Sequence, residues 1–301
     1  MDYEKTIMLL MAAFVLHCCS SKESTSIGSQ TAVGYERTQL PYDTTQLWIT
    51  PDSLIRELVI IDCPGGPDSI LEFQSRDQQR YRYLPDYSRF SIVSLYQAQS
   101  FNSSLYQYAR VFTPEDAAYE VAITSEMLHR AIAYFKSRGK KVYVVGSSYG
   151  AFVIQHYLAN YESEADLYVV LSGRLDMDQP MVEENLQGNS GRFREDGRTY
   201  VPDEDPIAIT DRDQDTREDL VCNRLKAAIG QARYTDLLAQ KNLSNVIYIY
   251  APNDEQVGSL REEEIAFLRQ KGALVFADDR GHGKTWQRLI DEVGKGKIPG
   301  W

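Results

Sequence analysis

The 301-residue chain is long enough for one large α/β domain or two small ones, and its 43% of apolar residues can supply a full hydrophobic core. Its formal net charge is −11, of which −9 comes from fourteen acidic residues and five arginines between Asp176 and Asp219. Since no basic patch stands out in the near-neutral remainder, the sequence excludes nucleic acid as an expected partner.

Residues 1–19 have the form of a secretory signal peptide. The apolar run "IMLLMAAFVL" within them is too short to cross a bilayer, which takes about 20 residues. The cysteines after it resemble a bacterial lipobox, in which Cys19 is the expected lipidation site and Cys18 the alternative. We therefore expect a protein exported to the bacterial cell envelope (periplasm or outer membrane), bound to membrane only through its lipid, with residues 20–34 as a flexible polar tether. A cleaved signal without lipid, or a frayed N-terminal helix, is the alternative.

Beyond residue 34, strand-like and helix-like segments alternate along the chain. This alternation predicts one α/β domain over residues 35–301, with a mostly parallel sheet covered by helices on both faces and no internal repeat. The predicted strands are residues 58–61, 90–96, 142–145, 167–173, 245–252 and 273–279; the predicted helices are a mixed segment after residue 67 and residues 114–138, 151–161, 261–272 and 284–293.

One long insertion interrupts this alternation. The 71 residues between Gly173 and Asn245 are about twice what a connection carrying one helix needs. The last third, residues 220–240, has a helical pattern, whereas the earlier acidic part is rich in proline and glycine. The pattern predicts a small, partly irregular lid over about residues 175–243.

The sequence "GSSYG", residues 146–150, stands where a strand ends and a helix begins. The pattern Gly-x-Ser-x-Gly alone is weak, but at a strand-to-helix turn it is typical of a nucleophile elbow, whose glycines avoid backbone clashes. It selects Ser148, not Ser147, as the nucleophile. An ordinary glycine-rich turn with a capping serine is the alternative.

A serine nucleophile needs a base that takes its proton and an acid that orients the base. The predicted acid is Asp254, in a polar turn directly after the strand at 245–252, with Glu255 as the fallback. Asp176 and Asp178, after the preceding strand, are weaker substitutes.

The predicted base is His282, which lies between two glycines after the last strand. The chain has only four histidines. His17 lies in the leader, and His129 and His156 lie within predicted helices, where a packed or solvent-facing ring is the usual explanation.

The oxyanion of an acyl-transfer reaction needs backbone donors. The first is predicted to be the N–H of Tyr149, the residue after the nucleophile. The second is predicted at Gly66, or alternatively Gly65, in the glycine pair that follows the strand at 58–61. A tight turn without a catalytic role also explains a glycine pair between prolines.

The order Ser148, Asp254, His282, with "PGGP" at residues 64–67 upstream, resembles the α/β-hydrolase superfamily over roughly residues 40–295. The motifs "GGP" and "GSSYGAF" are similar to the prolyl-iminopeptidase-like branch, although Pro64 stands in place of that branch's histidine. The resemblance implies an α/β-hydrolase fold and a serine hydrolase without a cofactor that forms an acyl-enzyme. Esterases and peptidases both occur in the superfamily, so the substrate, a small molecule or a short peptide, stays open. The rival from another class is a non-catalytic binding lipoprotein.

In aminopeptidases of that branch, carboxylates of the cap bind the substrate's free amine, a role that Glu183, Glu184 and Glu204 could fill here. A solvated acidic loop is the alternative. The repeat Asp211-x-Asp213-x-Asp215 copies the start of a calcium loop but lacks the turn glycine and the final glutamate, so no metal is predicted.

Two further groups of residues leave their role open. Cys63 and Cys222 could pair in an oxidising compartment, but we expect both to be structural. The tyrosines that follow the strand at 90–96 are candidates to line the substrate pocket: Tyr96, Tyr106 and Tyr108.

Overall fold

The computed structural model describes residues 35–51, 55–71, 80–107, 109–203 and 214–301. In these ranges no helix is long and apolar enough to cross a membrane. Several predictions concern residues outside them: the signal peptide, the lipidation site at Cys19 or Cys18, the tether, Tyr108, Glu204, and Asp211 and Asp213 of the calcium-like repeat.

A seven-stranded sheet forms the centre of the domain, with strand order β1-β3-β2-β4-β5-β8-β9. All neighbouring strands are parallel except β1, which pairs antiparallel with β3. The short β1 was not predicted from the sequence, because two residues carry no periodicity. The strands are β1 (Trp48–Ile49), β2 (Leu58–Cys63), β3 (Phe90–Leu95), β4 (Lys141–Ser147), β5 (Leu167–Leu171), β8 (Val246–Tyr250) and β9 (Leu274–Ala277).

Both faces of the sheet are buried because alternate residues of each strand point to opposite sides. Val142 and Val144 of β4 belong to one apolar cluster, and Tyr143 and Val145 belong to the other. The helices are α1 (Ala98–Phe101), α2 (Ser104–Gln107), α3 (Pro114–Lys136), α4 (Tyr149–Asn160), α5 (Gln179–Gln187), α6 (Gln214–Gly230), α7 (Tyr234–Leu237), α8 (Glu262–Gln270) and α9 (Thr285–Gly294). Helices cover both faces, and the predicted fold class, a mostly parallel sheet with helices on both sides, is confirmed.

The residues between β5 and β8 leave the sheet, since these two strands pair directly. They form α5, a hairpin of β6 (Gly191–Phe193) and β7 (Tyr200–Pro202), and then α6 and α7. The hairpin was not predicted, and the helix predicted at 220–240 is interrupted after Gly230. In the segment after residue 67, which was predicted to be mixed and helical, the described residues include two short 3-10 helices, Tyr81–Tyr83 and Tyr87–Arg89.

The buried carboxyl group of Glu120 on α3 is hydrogen-bonded to Thr38, near the start of the described chain. Thr38 donates its backbone N–H to Glu120 Oε1 at 2.9 Å, and the Tyr119 hydroxyl donates to the Thr38 carbonyl at 3.2 Å. Glu120 is fully buried, and its Oε2 has no partner among the described residues. Burial raises the pKa of Glu120 to about 7, because the ionised form has lost its hydration.

We expect Glu120→Gln to stabilise the protein at about pH 8 but hardly at about pH 4.5. Folded Glu120 keeps its proton up to a pKa of about 7, whereas the unfolded carboxyl loses it near 4.5. The folded state therefore binds more protons across this window, and wild-type stability falls as the pH rises through it. Glutamine cannot ionise and keeps an acceptor for Thr38, so the gain at high pH is on the order of 2 kcal/mol.

Urea unfolding at both pH values measures this difference. Glu126→Gln is the matched control on the same helix, because Glu126 is partly exposed and already paired with Arg130 at 2.7 Å. An effect of Glu120→Gln that is the same at both pH values would contradict the prediction.

Candidate active site

Ser148 lies between β4 and α4 in a backbone conformation that residues other than glycine rarely adopt. Its φ is 54° and its ψ is −119°, a strained combination for a residue other than glycine. Its backbone N–H donates to the Leu171 carbonyl of β5 at 2.9 Å, and its carbonyl accepts from Ala151 at 2.9 Å. The turn is therefore fixed on both sides, and Ser148 leaves the end of the strand into a cavity.

The two glycines around Ser148 have no room for a side chain. A Cβ at Gly146 would lie 2.3 Å from the Gly150 carbonyl oxygen, and a Cβ at Gly150 would lie 1.9 Å from the Cys63 carbonyl oxygen at the end of β2. Both contacts involve backbone atoms, which cannot rotate away. The steric reason that the sequence suggested for Gly-x-Ser-x-Gly thus holds at both positions.

Asp254 and His282 follow β8 and β9, two neighbouring strands, and their side chains meet. His282 Nδ1 lies 2.7 Å from Asp254 Oδ2. Asp254 is only 1% exposed, and its other oxygen accepts the backbone N–H groups of Gln256 and Val257 at 2.9 and 3.0 Å. The carboxylate is thereby held with one oxygen aimed at the imidazole.

The Ser148 turn follows β4, the middle strand of the sheet, and Asp254 and His282 follow β8 and β9 on one side of it. This order of serine, acid and histidine after parallel strands is typical of one doubly wound fold. This is the α/β-hydrolase fold. The carboxyl ends of its parallel strands meet at one edge of the sheet, which explains why residues far apart in the chain collect there.

The other acids that the sequence offered are placed differently. The Glu255 side chain is exposed, next to Asp254. Asp176 accepts from the Thr235 hydroxyl at 2.6 Å, and Asp178 pairs with the buried Arg174 at 2.9 Å. Both of these aspartates therefore hold the insertion together.

The two helical histidines are packed, as the sequence suggested. The His129 ring stacks on Tyr161 with the centroids 4.6 Å apart. His156 Nδ1 lies 2.7 Å from Ser125 Oγ, and burial lowers the pKa of His156 to about 4. Both rings therefore pack where α3 meets α4.

Ser148 and His282 are not hydrogen-bonded to each other in the described part of the chain. Such bonds are often long without substrate and tighten in the Michaelis complex. The structure thus brings the acid and the base together and places the serine at the same edge of the sheet.

The sequence reasoning missed Ser172, which positions the histidine loop. The Ser172 hydroxyl donates to the His282 carbonyl at 2.5 Å and lies 2.7 Å from Thr285 Oγ1. Its φ of 51° turns the chain directly after β5. The sequence shows that Ser172 precedes a glycine at the end of a strand, which is typical of a turn. It does not show that the partner of Ser172 is His282, 110 residues further along the chain.

A second missed residue, Gln97, holds the glycine loop that was predicted to supply an oxyanion donor. Its side-chain amide donates to the Pro64 carbonyl at 2.7 Å. A Cβ at Gly65 would lie 3.6 Å from Ser148 Cβ, so this loop passes beside the serine. Gly66 lines the same cavity as Ser148 and Tyr149.

A cavity of about 240 Å³ opens at Ser148 under the insertion. Its volume is below the roughly 300 Å³ at which pockets for drug-sized ligands begin. Besides Gly66, Ser148 and Tyr149, its described lining comprises the apolar residues Phe152, Met177, Met181, Ile229, Gly230 and Val257 and the polar or small residues Asn185, Ser190, Gly191, Arg192, Lys226, Glu255 and Gln256. Tyr106 lines a second cavity and is not among the described residues that line the cavity at Ser148.

Cys63 and Cys222, the two cysteines in the part of the chain that the structure describes, are free thiols. Burial raises the pKa of Cys222 to about 11, and that of Cys63 well above its ordinary value. Both thiols are therefore protonated at neutral pH, and a protonated thiol is a poor nucleophile. Among the described residues there is also no cluster of three or more histidine, cysteine or acidic side chains suited to a metal ion.

No protein-family model matches the chain, and no curated protein matches it in sequence. Among solved structures it is similar to Est1E from Butyrivibrio proteoclasticus, with 12% identity, coverage of 83% of this chain and 90% of that chain, and a TM-score of 0.47. It is also similar to MGS-M2, an α/β-hydrolase enzyme from a Medee basin deep-sea metagenome library, with 14% identity, coverage of 82% and 91%, and a TM-score of 0.47.

Proposed function

We propose that this protein is a serine hydrolase that cleaves a carboxylic ester through an acyl-enzyme on Ser148. The observation that carries the proposal is the 2.7 Å contact between Asp254 and His282 at the sheet edge where the strained Ser148 turn also lies. A buried acid that orients a histidine, at the sheet edge that also carries such a serine, is the combination of groups that activates a hydroxyl nucleophile.

In the proposed reaction, His282 Nε2 takes the proton of Ser148 Oγ as this oxygen bonds to the substrate's carbonyl carbon. The backbone N–H groups of Tyr149 and Gly66 stabilise the oxyanion that forms, and Asp254 balances the charge of the imidazolium. His282 then gives its proton to the leaving alcohol as the carbon–oxygen bond breaks. Water attacks the acyl-enzyme by the reverse sequence and releases the acid.

An ester fits this site better than a peptide with a free amine. Glu183 accepts from the Gln179 amide at 3.0 Å, and Glu184 accepts from the Asn189 amide at 2.9 Å. Neither glutamate is among the described residues that line the cavity, whereas Lys226 and Arg192 are. With Glu255 as the single carboxylate of the described lining, the cavity has a net charge of +1, which disfavours an ammonium group. An aminopeptidase is therefore the less supported alternative.

A fluorophosphonate probe tests the proposal, because it reacts only with an activated serine. We expect the wild-type protein to be labelled and the Ser148→Ala variant to remain unlabelled. Ser147→Ala is the matched control and should label like the wild type, since Ser147 does not line the cavity among the described residues. A folded wild-type protein that resists the probe would favour the non-catalytic binding protein.

We also propose that the hydrolase acts in the cell envelope, on the strength of the leader and Cys19 in the sequence. Its substrate would then be an ester that reaches this compartment.

A further inference from the structure

The cavity at Ser148 combines an apolar wall with polar and cationic hydrogen-bond donors. Phe152, Met181 and Ile229 form part of the wall and suit the methylene groups of a short acyl chain. The donors come from three elements of the insertion, namely α5, β6 and α6. A purely hydrocarbon acyl group would leave the Asn185 amide without an acceptor and the Lys226 ammonium group without an anion.

Lys226 of α6 is the first donor. It is half-buried, and its Nζ donates to the Asn223 side-chain oxygen at 3.1 Å. No carboxylate pairs with it among the described residues. A partly buried ammonium group that has a neutral partner alone retains the capacity to bind an anion.

Asn185 of α5 is the second donor. Its side chain is 2% exposed and lines the same cavity, and its Nδ2 has no hydrogen-bond acceptor among the described residues. A buried amide without a partner is costly, because folding removed it from water without replacing the hydrogen bond. An acceptor supplied by a ligand would satisfy it.

The charges in the cavity distinguish between anions. Arg192 and Glu255 line it as exposed residues of opposite sign, whereas Lys226 is the less solvated charge. The described lining therefore has a net charge of +1. That value matches a carboxylate with one negative charge better than a doubly charged phosphate.

The proposed mechanism assigns the cavity to the acyl part of the substrate. His282 is not among the described residues that line it. In the proposed mechanism this histidine gives its proton to the leaving alcohol, so the alcohol must occupy the opposite side. The charged end of the substrate is therefore part of the acid that becomes bound to Ser148.

We propose that the substrate is a monoester of a dicarboxylic acid, whose free carboxylate is held by Lys226 and Asn185 while its ester carbonyl lies at Ser148. The hydrolysis of this ester, the catalytic half of the proposal, rests on the proposed hydrolase function. The binding of its carboxylate by Lys226 and Asn185, the binding half, rests on the cavity alone.

Kinetics on matched esters test the catalytic half. The substrates are the monomethyl esters of succinate, glutarate, adipate and suberate, each paired with the methyl ester of the monocarboxylic acid of equal length. We expect at least one diacid monoester to show a kcat/KM about tenfold or more above its uncharged pair, as a charge-assisted hydrogen bond provides.

Substitutions at Lys226 test its role. Lys226→Met should reduce that selectivity ratio about tenfold, and Lys226→Arg should retain most of it because the charge remains. The control is Lys241→Met, since Lys241 binds the Tyr161 carbonyl at 3.0 Å and does not line the cavity among the described residues. A ratio near one at every chain length in the wild type would overturn the inference.

Calorimetry with the Ser148→Ala variant separates the two proposals. Monomethyl adipate and its homologues should bind this variant and should bind the Ser148→Ala, Lys226→Met double variant at least about tenfold more weakly. Probe labelling without any such binding or selectivity would leave the hydrolase and overturn the carboxylate site. Binding that depends on Lys226, with no probe labelling, would retain the carboxylate site and overturn the hydrolase.

Discussion

Replacing Asp254 with asparagine is expected to lower kcat on a simple ester by about a thousandfold to ten-thousandfold. The carboxylate is buried, takes two backbone N–H bonds on one oxygen and presents the other to His282 Nδ1. An amide at this position cannot balance the imidazolium charge, and its NH2 group favours the wrong tautomer of the ring. Steady-state kinetics on p-nitrophenyl acetate measure the loss.

Glu255→Gln is the matched comparison, because Glu255 is the neighbouring carboxylate and the alternative acid. Its side chain is exposed, so we expect a loss of about tenfold at most. If Glu255→Gln were the more damaging of the two substitutions, the assignment of the acid to Asp254 would be wrong.

Gly150→Ala is expected to destabilise the protein by about 3 kcal/mol or more and to abolish ester hydrolysis. The added Cβ would lie 1.9 Å from the Cys63 carbonyl oxygen and 2.7 Å from the Pro64 carbonyl oxygen. The end of β2 and the glycine loop beside Ser148 would have to move, and with them Gly65 and Gly66. Thermal unfolding and probe labelling report the two effects separately.

Gly294→Ala supplies the control for this prediction. A Cβ at Gly294, at the end of α9, meets no atom within 4 Å, so alanine should be neutral or stabilise by up to about 1 kcal/mol. A Gly150→Ala protein as stable and active as the Gly294→Ala protein would show that the turn tolerates a side chain.

The sheet and its order of strands and helices were predictable because their signals are local. Val142–Val145 is a run of β-branched and aromatic residues ahead of a glycine turn. The helix at residues 114–136 is preceded by the capping residue Thr113, begins with a proline and has apolar residues at helical spacing. Each signal lies within about 20 residues of chain, the range over which periodicity is informative.

The insertion was less predictable for a physical reason. Its hairpin is held by the rest of the domain: Phe193 donates its N–H to the Glu255 carbonyl at 2.8 Å, and Ser259 donates to the Gly197 carbonyl at 2.7 Å. These bonds join segments about 60 residues apart, so strands of three residues form there without a periodic pattern of their own. Tertiary contacts, not propensity, determine that part of the fold.

By itself the sequence determined the type of fold, the turn at Ser148 and the strand ends after which Asp254 and His282 lie. The tertiary structure alone decided that the acid and the histidine meet, that Ser172 and Gln97 hold the loops around them, and that Lys226 and Asn185 share a cavity with the serine. Steric clashes at a turn and apolar periodicity depend on neighbours in the chain, whereas burial and hydrogen-bond pairing depend on neighbours in space.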